Sequence, residues 1–375
     1  MSTEGSQNGA RAGAELSIDA PPSARTVVAL SGGVDSSIAA SLLQSQGHEL
    51  LAVTLKMRDC EESGASRSCC GIDGLVRARR AAAQLDIPHF TLDAVQAFSE
   101  RVLAPAWDAY AAGLTPSPCL PCNERIKLGL LFDWAKKMGA RRIATGHYAR
   151  VSMDAKARPM LLRGVDRDKD QSYFLAGLSL EQLSTLVLPL GELSKPEVRR
   201  LAEARGLVTA KTRESQDACL LSDEGLCFAE MLRRRFDGVA RPGKLLDKSG
   251  KVLGEHAGIH LFTVGQRRGL GLSSHLRRWV IALRSEDAAV ILSEDEADLY
   301  ASSLTAEGLN WLAESPVERA QVRVRYRHSG EMAKLSWEAD GRLRVDFEQP
   351  VRAITRGQAA VFYDGERVLG RGWIC

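Results

Sequence analysis

The chain has 375 residues, of which 45% are hydrophobic and 26% charged, and its formal net charge is +3. The length and composition indicate a globular protein with two or three domains. The small net charge excludes a surface that is basic throughout, so a nucleic-acid site must be a local patch. No apolar run is as long as a membrane span, and we expect no membrane partner.

Residues 1–24 are predicted to be a disordered tail, because they are rich in Ser, Gly and Ala and lack an apolar stretch. The same features argue against a secretory signal or a transit peptide. The chain has eight cysteines, which without a signal peptide are expected in a reducing compartment, as reactive or metal-binding groups. We therefore expect a cytoplasmic protein.

The first predicted elements are a strand, a glycine turn and a helix. Residues 26–30 are apolar and β-branched like a buried parallel strand, and residues 37–43 have apolar positions at helical spacing. Between them lies Ser31-Gly32-Gly33-Val34-Asp35-Ser36. Such a junction directs backbone N–H groups and the positive end of the helix dipole at one spot, which predicts a site for anionic oxygens.

The glycine turn differs from the phosphate loop that ends in Gly-Lys-Ser/Thr, because it has no lysine. Two glycines let the backbone approach a phosphate closely. Asp35 repels phosphate unless Mg²⁺ lies between them, which indicates a metal–pyrophosphate unit. The six residues resemble the signature of the N-type ATP pyrophosphatases (the PP-loop), which split ATP between its α and β phosphates. The alternative is a tight turn capped by Ser and Asp.

Strands and helices alternate over residues 25–222. Strands are predicted at 50–55, 87–92 and 142–145, helices at 72–85, 124–138 and 196–205, and a hairpin within 151–164. This alternation predicts an α/β domain with a doubly wound parallel sheet and ligands at the carboxyl ends of its strands. Those ends carry the glycine turn, Leu55 and Gly146-His147.

The pattern changes after residue 222. Residues 223–278 contain a predicted helix at 227–235 and a hairpin around Ser249-Gly250, which indicate a small α+β central domain. Residues 279–375 consist of strands and turns, which predict a C-terminal β-barrel. Within them, residues 321–328 alternate like a strand that carries three arginines on one face. Such a face is either a charged sheet edge or a stripe that grips a polyanion.

From residue 25 to residue 375 the chain resembles the tRNA-specific 2-thiouridylase family (MnmA/TrmU). The runs that carry the resemblance are 31–36, 115–123, 144–148, 169–175, 215–217 with Cys219, 254–270, 324–327 and 353–373. The family's fold implies a PP-loop domain, a small central domain and a C-terminal β-barrel that contacts tRNA. Its reaction adenylates C2 of the wobble uridine, position 34, and replaces the oxygen with sulfur, releasing AMP and pyrophosphate.

The resemblance also implies roles for single residues. It makes Cys219 the persulfide carrier and Cys122 the second catalytic cysteine, which resolves the resulting disulfide. The implied ATP contacts are Ala29, Leu30, Ser31, Gly32, Gly33, Val34, Asp35, Ser36, Leu55 and Gly146, with ATP bound as its Mg²⁺ complex. The implied tRNA contacts are His147, Lys169, Asp170, Gln171, Arg325, Tyr326 and Gln358, with Ser117, Pro118 and Cys119 against the flipped-out base.

Cys119 departs from the family's pattern, because many members have an aspartate there that acts on the uridine. A thiol is a poorer anion, with a reference pKa of about 8.5. Three alternatives stay open. Cys119, Cys122 and Cys219 hold a [4Fe–4S] cluster whose open iron carries sulfide, or they bind zinc, or Cys119 is a spare resolving thiol.

The expected partners are tRNAs for glutamate, lysine and glutamine and a sulfur-donor protein such as a cysteine desulfurase or a relay, and the chain is expected to be a monomer. One rival function is an amide-forming ligase, which uses the same adenylation and has no need of the two cysteines. A second rival is an RNA-binding protein without activity, which has no need of an intact glycine turn.

Overall fold

The computed structural model describes residues 25–58, 72–212, 226–272 and 276–375. The predictions for Cys219 and for residues 215–217 lie outside these ranges. Within them, none of the helices is long and apolar enough to cross a membrane.

The first part of the chain alternates strands and helices as predicted. In chain order its elements are β1 (Thr26–Ala29), α1 (Val34–Ser45), β2 (Leu50–Lys56), α2 (Ile72–Gln84), β3 (His89–Asp93), α3 (Val95–Phe98), α4 (Ala104–Ala111), α5 (Cys119–Pro121), α6 (Gly129–Lys137), β4 (Arg142–Ala144), β5 (Ala149–Met153), β6 (Pro159–Arg163), α7 (Ser172–Leu175), α8 (Leu180–Thr185), β7 (Leu186–Val187) and α9 (Lys195–Ala204). Two further turns, Ser99–Leu103 and Cys122–Lys127, are π-helical.

Five of these strands form a parallel sheet in the order β3-β2-β1-β4-β7. Residues of α1 and α2 pack on one face of the sheet and residues of α6 on the other, which buries Val27 and Val28 on opposite sides of β1. The strand order changes direction between β1 and β4. In doubly wound sheets ligands bind at this point, so the fold places the glycine turn after β1 and Gly146 after β4 at the expected crevice.

The second part of the chain is mainly β. Its elements are α10 (Phe228–Arg235), β8 (Gly243–Asp247), β9 (Val252–His256), β10 (Trp279–Arg284), β11 (Ala289–Ser293), β12 (Tyr300–Trp311), β13 (Arg319–Arg323), β14 (Glu331–Trp337), β15 (Leu343–Arg352), β16 (Ala359–Asp364) and β17 (Arg367–Ile374). β8 to β11 form a four-stranded sheet in the order β10-β11-β8-β9.

A closed barrel follows. Its strands run β12-β15-β14-β13-β16-β17, and β12 pairs with β17 to close the ring. The barrel core includes Val322, Val345 and Phe362. The β5–β6 hairpin of the first domain joins the same sheet, because Arg367 of β17 pairs with Leu162 of β6. The predicted fold class, a parallel α/β sheet followed by an α+β domain and a β-barrel, is confirmed.

Two details differ from the sequence prediction. The strands that begin at Trp279 belong to the central sheet, because β11 pairs in parallel with β8, so the first strand of the barrel is β12. The strand predicted over 321–328 ends at Arg323. The reason is that the Arg323 guanidinium donates to the carbonyl oxygens of Tyr326 and His328 and thereby folds the following residues into a turn.

Candidate active site

The glycine turn between β1 and α1 is held by its own serines. The backbone N–H of Ser31 donates to Ser36 Oγ at 3.1 Å, and Ser36 Oγ donates to the carbonyl oxygen of Gly33 at 3.1 Å. Gly32 has a φ of +75°, and a Cβ there would lie 2.3 Å from the carbonyl oxygen of Gly74 in α2. Gly33 is the N-cap of α1 and has no side chain to cap it, so the positive end of α1 faces the turn.

The segment after β4 lies directly against the glycine turn. A Cβ on Gly146 would be 2.7 Å from the carbonyl carbon of Asp35 and 2.8 Å from the backbone N of Ser36. Only a glycine fits such a backbone contact. The structure therefore brings together the predicted ATP residues of two strands that the sequence separates by more than 100 positions.

Asp35 is the charged group of this turn. Lys195 Nζ donates to both of its carboxylate oxygens, at 2.6 and 2.7 Å, and Tyr148 Oη donates to Oδ1 at 2.8 Å. The Lys195 side chain is 9% exposed and that of Asp35 33% exposed. An Mg²⁺ that binds Asp35 would share the carboxylate with this ammonium or displace it; the oxygens and their partial exposure suit a hard cation.

The sequence reasoning missed Lys195. The signal was a capping box, Ser194 with Glu197, which marks the start of α9 and places Lys195 at its first position. A lysine there is unfavourable for the helix dipole, so its presence indicates a compensating anion elsewhere in the fold.

Two further predicted ATP residues, Leu30 and Leu55, have apolar side chains that pack inside the fold. Leu30 is buried, and its carbonyl oxygen accepts a hydrogen bond from Thr54 Oγ1 at 2.6 Å. Leu55 at the end of β2 is half-buried and packs on the apolar cluster that contains Cys122, Phe98 and Ile126. Leu55 therefore connects the nucleotide side of the sheet with one of the two predicted catalytic cysteines.

Residues 115–123 form what we call the cysteine turn. Cys122 is 5% exposed, Cys119 is half-buried, and the two lie on consecutive turns of α5 and the π-helical segment. Asn123 Nδ2 donates to the carbonyl oxygen of Cys119 at 2.9 Å, which fixes the spacing of the two cysteines. π-Helical turns occur often at functional sites, since they widen the helix locally.

Two predicted tRNA residues, His147 and Gln171, are held by hydrogen bonds to residues that follow β4. Gln171 accepts from the backbone N–H of Tyr148 through Oε1 at 3.0 Å and donates its own N–H to the Tyr148 carbonyl oxygen at 2.8 Å. His147 Nδ1 lies 2.7 Å from Thr145 Oγ1. Burial, assisted by Lys127, lowers the pKa of His147 to about 3, so its imidazole is neutral at physiological pH.

Asp170 lies inside the protein, 3% exposed. Its Oδ1 accepts from the backbone N–H groups of Gly164 and Ser172, and its Oδ2 accepts from Ser172 Oγ at 3.0 Å and from Arg323 Nη1 at 3.3 Å. Both carboxylate oxygens of Asp170 therefore accept hydrogen bonds from other residues of the protein. Lys169, beside it, is half-buried.

The barrel supplies the remaining predicted tRNA residues. Tyr326 packs on Phe174 of α7 with ring centroids 4.3 Å apart, and Arg325 Nη1 donates to the carbonyl oxygen of Arg352 at 2.9 Å. Gln358 Nε2 donates to the carbonyl oxygens of Thr115 and Pro116 in the cysteine turn. The barrel therefore packs on α7 and on the cysteine turn of the first domain.

Three family models match the chain. They are described as the tRNA methyl transferase HUP domain over residues 24–223, the tRNA methyl transferase PRC-barrel domain over 232–294 and the aminomethyltransferase beta-barrel domain over 301–374. Full-length relatives named tRNA-specific 2-thiouridylase MnmA are 40% identical in Geotalea uraniireducens, 43% in Sorangium cellulosum and 44% in Thermus thermophilus. The alignment with the Geotalea relative covers 93% of this chain and 94% of that protein. The corresponding shares are 94% and 92% for the Sorangium relative and 92% and 93% for the Thermus relative.

The chain belongs to the tRNA-specific 2-thiouridylase family. The resemblance noted in the sequence is thereby confirmed, and the names of these relatives describe a tRNA sulfurtransferase. Two of the three family models are described as domains of a tRNA methyl transferase, whereas these relatives are named as 2-thiouridylases.

The thiol ligands expected for a cluster or for zinc are only partly within the described ranges of this 2-thiouridylase family member. In those ranges no three His, Cys, Asp or Glu side chains are grouped as a metal site. Cys119 and Cys122 come from one turn, and the third predicted ligand, Cys219, lies outside the described residues.

Proposed function

We propose that the protein is an ATP-dependent tRNA sulfurtransferase that converts the wobble uridine, position 34, to 2-thiouridine. The observation that carries the proposal is the contact of Gly146 with the backbone of Asp35 and Ser36, which assembles one anion site at the switch point of the sheet. Homology to proteins named tRNA-specific 2-thiouridylase supports tRNA as the substrate and 2-thiolation as the reaction.

The ATP site of this proposal is the edge formed by the glycine turn, Leu55 and Gly146. The backbone N–H groups at the start of α1 would face the triphosphate, and the Asp35 carboxylate would hold the Mg²⁺ that accompanies ATP. Mg²⁺ bound there would neutralise negative charge on the pyrophosphate. The uridine O2 attacks the α-phosphorus, pyrophosphate leaves, and C2 then carries AMP as a good leaving group.

Sulfur transfer uses the two cysteines. The terminal sulfur of a persulfide on Cys219 attacks C2 and displaces AMP, which leaves the base joined to Cys219 through a disulfide bond. The Cys122 thiolate then attacks the Cys219 sulfur, which releases 2-thiouridine and forms a Cys122–Cys219 disulfide. A thiol reductant must reopen that disulfide before the next turnover. The sulfur comes from a donor protein, and the tRNAs are those for glutamate, lysine and glutamine.

The tRNA interface in this proposal includes Ser117, Pro118 and Cys119 against the base and His147, Lys169, Gln171, Arg325 and Tyr326 around it. For Asp170 we propose an indirect role, because its carboxylate oxygens are already bound inside the fold. The neutral imidazole of His147 suits a hydrogen bond to the RNA better than an ion pair with phosphate.

A second candidate function is the same thiolation reaction with a different sulfur carrier. Cys119 occupies a position where the family commonly has aspartate, and it lies on the same turn as Cys122. With Cys219 the two thiolates could hold a [4Fe–4S] cluster, which would bind the sulfide.

The adenylation step tests the proposal directly. Protein, Mg-ATP and unmodified glutamate tRNA should yield AMP and pyrophosphate only when the tRNA is present. The matched control is the same tRNA with cytidine at position 34, which should give no AMP. Transfer of a methyl group to the tRNA without AMP formation would contradict the proposal and would favour the activity in the name of the family models.

A further inference from the structure

The cysteine turn contains three prolines, Pro116, Pro118 and Pro121, which have no backbone N–H. Because prolines remove backbone donors from such a segment, some of its carbonyl groups depend on side chains or on other parts of the fold for a hydrogen bond. The position of Cys119 and Cys122 depends on where those donors come from.

The donors can be counted one by one. The carbonyl oxygen of Ser117 accepts from the N–H of Leu120 at 3.3 Å, and that of Pro118 accepts from the N–H of Cys122 at 3.1 Å. The carbonyl oxygen of Cys119 accepts from Nδ2 of Asn123 at 2.9 Å. All three donors belong to the turn itself. The two carbonyl oxygens that precede them, those of Thr115 and Pro116, accept from Gln358 Nε2 of the barrel, at 2.9 and 3.1 Å.

The backbone of Gln358 is fixed in the barrel wall. The N–H of Ile374 donates to its carbonyl oxygen at 2.9 Å, and the neighbouring Gly357 donates to the carbonyl oxygen of Ile374 at 2.8 Å. Gly357 has a φ of +89°, and a Cβ there would be 3.0 Å from the carbonyl oxygen of Thr115. The N–H of Thr115 in turn donates to the carbonyl oxygen of Arg356 at 3.0 Å. The barrel corner and the turn are therefore in direct backbone contact.

We infer that Gln358 is a positioning residue for the cysteine turn. It acts on the reaction by holding the backbone that carries Cys119 and Cys122, and the barrel contributes to catalysis through this contact. Its side-chain amide donates both hydrogens to carbonyl oxygens of the turn, so it does not donate them to tRNA. The activity part of this inference rests on the proposed sulfurtransferase function.

The test replaces Gln358 by Met, which keeps the length of the side chain and removes both donors, and by Glu, which keeps the shape and places acceptors against two carbonyls. The matched control is Gln349→Met, because Gln349 is an exposed glutamine of the same barrel. Three quantities are measured: the Kd for tRNA, the rate of 2-thiouridine formation, and the rate at which iodoacetamide alkylates Cys122, followed by peptide mass spectrometry.

For both Gln358 variants we expect a tRNA Kd within two-fold of wild type, thiolation at least ten-fold slower, and faster alkylation of Cys122, which is 5% exposed in the native turn. Gln349→Met should match wild type in all three. A Kd at least ten-fold weaker with unchanged alkylation would overturn the inference and assign Gln358 to tRNA, and wild-type values throughout would also overturn it.

The alkylation measurement does not depend on the proposed function. If the wild-type protein forms no 2-thiouridine, the sulfurtransferase proposal fails, while the alkylation rates still decide whether Gln358 holds the turn. If Gln358→Met does not fold, as judged by its thermal unfolding transition, Gln358→Glu carries the test.

Discussion

The ammonium group of Lys195 lies 2.6 Å from one carboxylate oxygen of Asp35 and 2.7 Å from the other. The two residues are 160 positions apart, and the pair connects the first turn of α9 with the glycine turn. Tyr148 Oη completes the contacts of the carboxylate at 2.8 Å. The charge of the proposed magnesium ligand is therefore fixed in place before any nucleotide binds.

Lys195→Met should slow AMP formation by roughly ten- to hundred-fold, since a hydrogen bond to a charged group contributes about 1.5–3 kcal/mol. Asp35 would keep Tyr148 as a partner and lose the cation that orients both oxygens. Initial rates of tRNA-dependent AMP release over a range of Mg-ATP concentrations measure the effect. Lys136→Met is the control, because its ion pair with Glu181 is exposed and contributes about 0–1 kcal/mol. Equal rates in both variants would contradict the role of Lys195.

Removing Arg323 from its ion pair with Asp170 should destabilise the protein, because the side chains are only 11% and 2% exposed and the remaining charge would stay buried. Arg323→Met leaves a buried carboxylate without its cation, which typically costs about 3–5 kcal/mol. The free energy of unfolding in urea should fall accordingly, and less in the double variant Arg323→Met, Asp170→Asn. Arg342→Met, at an exposed pair, is the control. A double variant that is less stable than Arg323→Met would show that the pair is not the cause.

Acid should destabilise the protein partly through His147. Burial, with Lys127, lowers the pKa of its imidazole to about 3, whereas a histidine in the unfolded chain has a pKa of about 6.5. As the pH falls from 6.5 towards 3, the unfolded chain binds a proton that the folded protein does not, so the free energy of unfolding decreases. His147→Gln should therefore lose less stability between pH 7 and pH 5 than wild type, measured by urea unfolding. The other histidines are the same in both proteins, so an equal loss would contradict this assignment.

Cys219, the proposed persulfide carrier, should be needed for sulfur transfer and not for adenylation. Cys219→Ala should abolish formation of 2-thiouridine and leave tRNA-dependent AMP formation intact, because the persulfide acts only after adenylation. Cys227→Ala is the control, since Cys227 is exposed at the start of α10. Loss of AMP formation in Cys219→Ala would remove the carrier role from that residue.

Sequence reasoning succeeded where a feature is local. Six consecutive residues are enough to identify the glycine turn. The alternation of strands and helices predicts a parallel sheet, and the turn lies at the carboxyl end of one of its strands. The contact of Gly146 with Asp35 follows from the order of strands, because parallel strands place their ends at one edge. The fold class and the proximity of Gly146 to the glycine turn were therefore accessible from the sequence.

Long-range polar contacts were not accessible. Lys195 and Gln358 each form hydrogen bonds with a segment more than 150 residues away in the sequence, and the residues next to them do not indicate which segment that is. The parallel pairing of β11 with β8 likewise moved residues 279–293 out of the predicted barrel. The arginine pattern of residues 321–328 predicted a strand, but the guanidinium of Arg323 folds the segment after it.

The most direct test of the proposed sulfurtransferase activity is nucleoside mass spectrometry of unmodified glutamate tRNA. The tRNA is first incubated with metal-free protein, Mg-ATP and a persulfide donor. We expect 2-thiouridine at position 34, with one AMP released for each sulfur inserted. 2-Thiouridine that forms only after anaerobic iron–sulfur reconstitution would replace the persulfide route by a cluster on Cys119, Cys122 and Cys219. No 2-thiouridine under either condition would contradict the sulfurtransferase function itself.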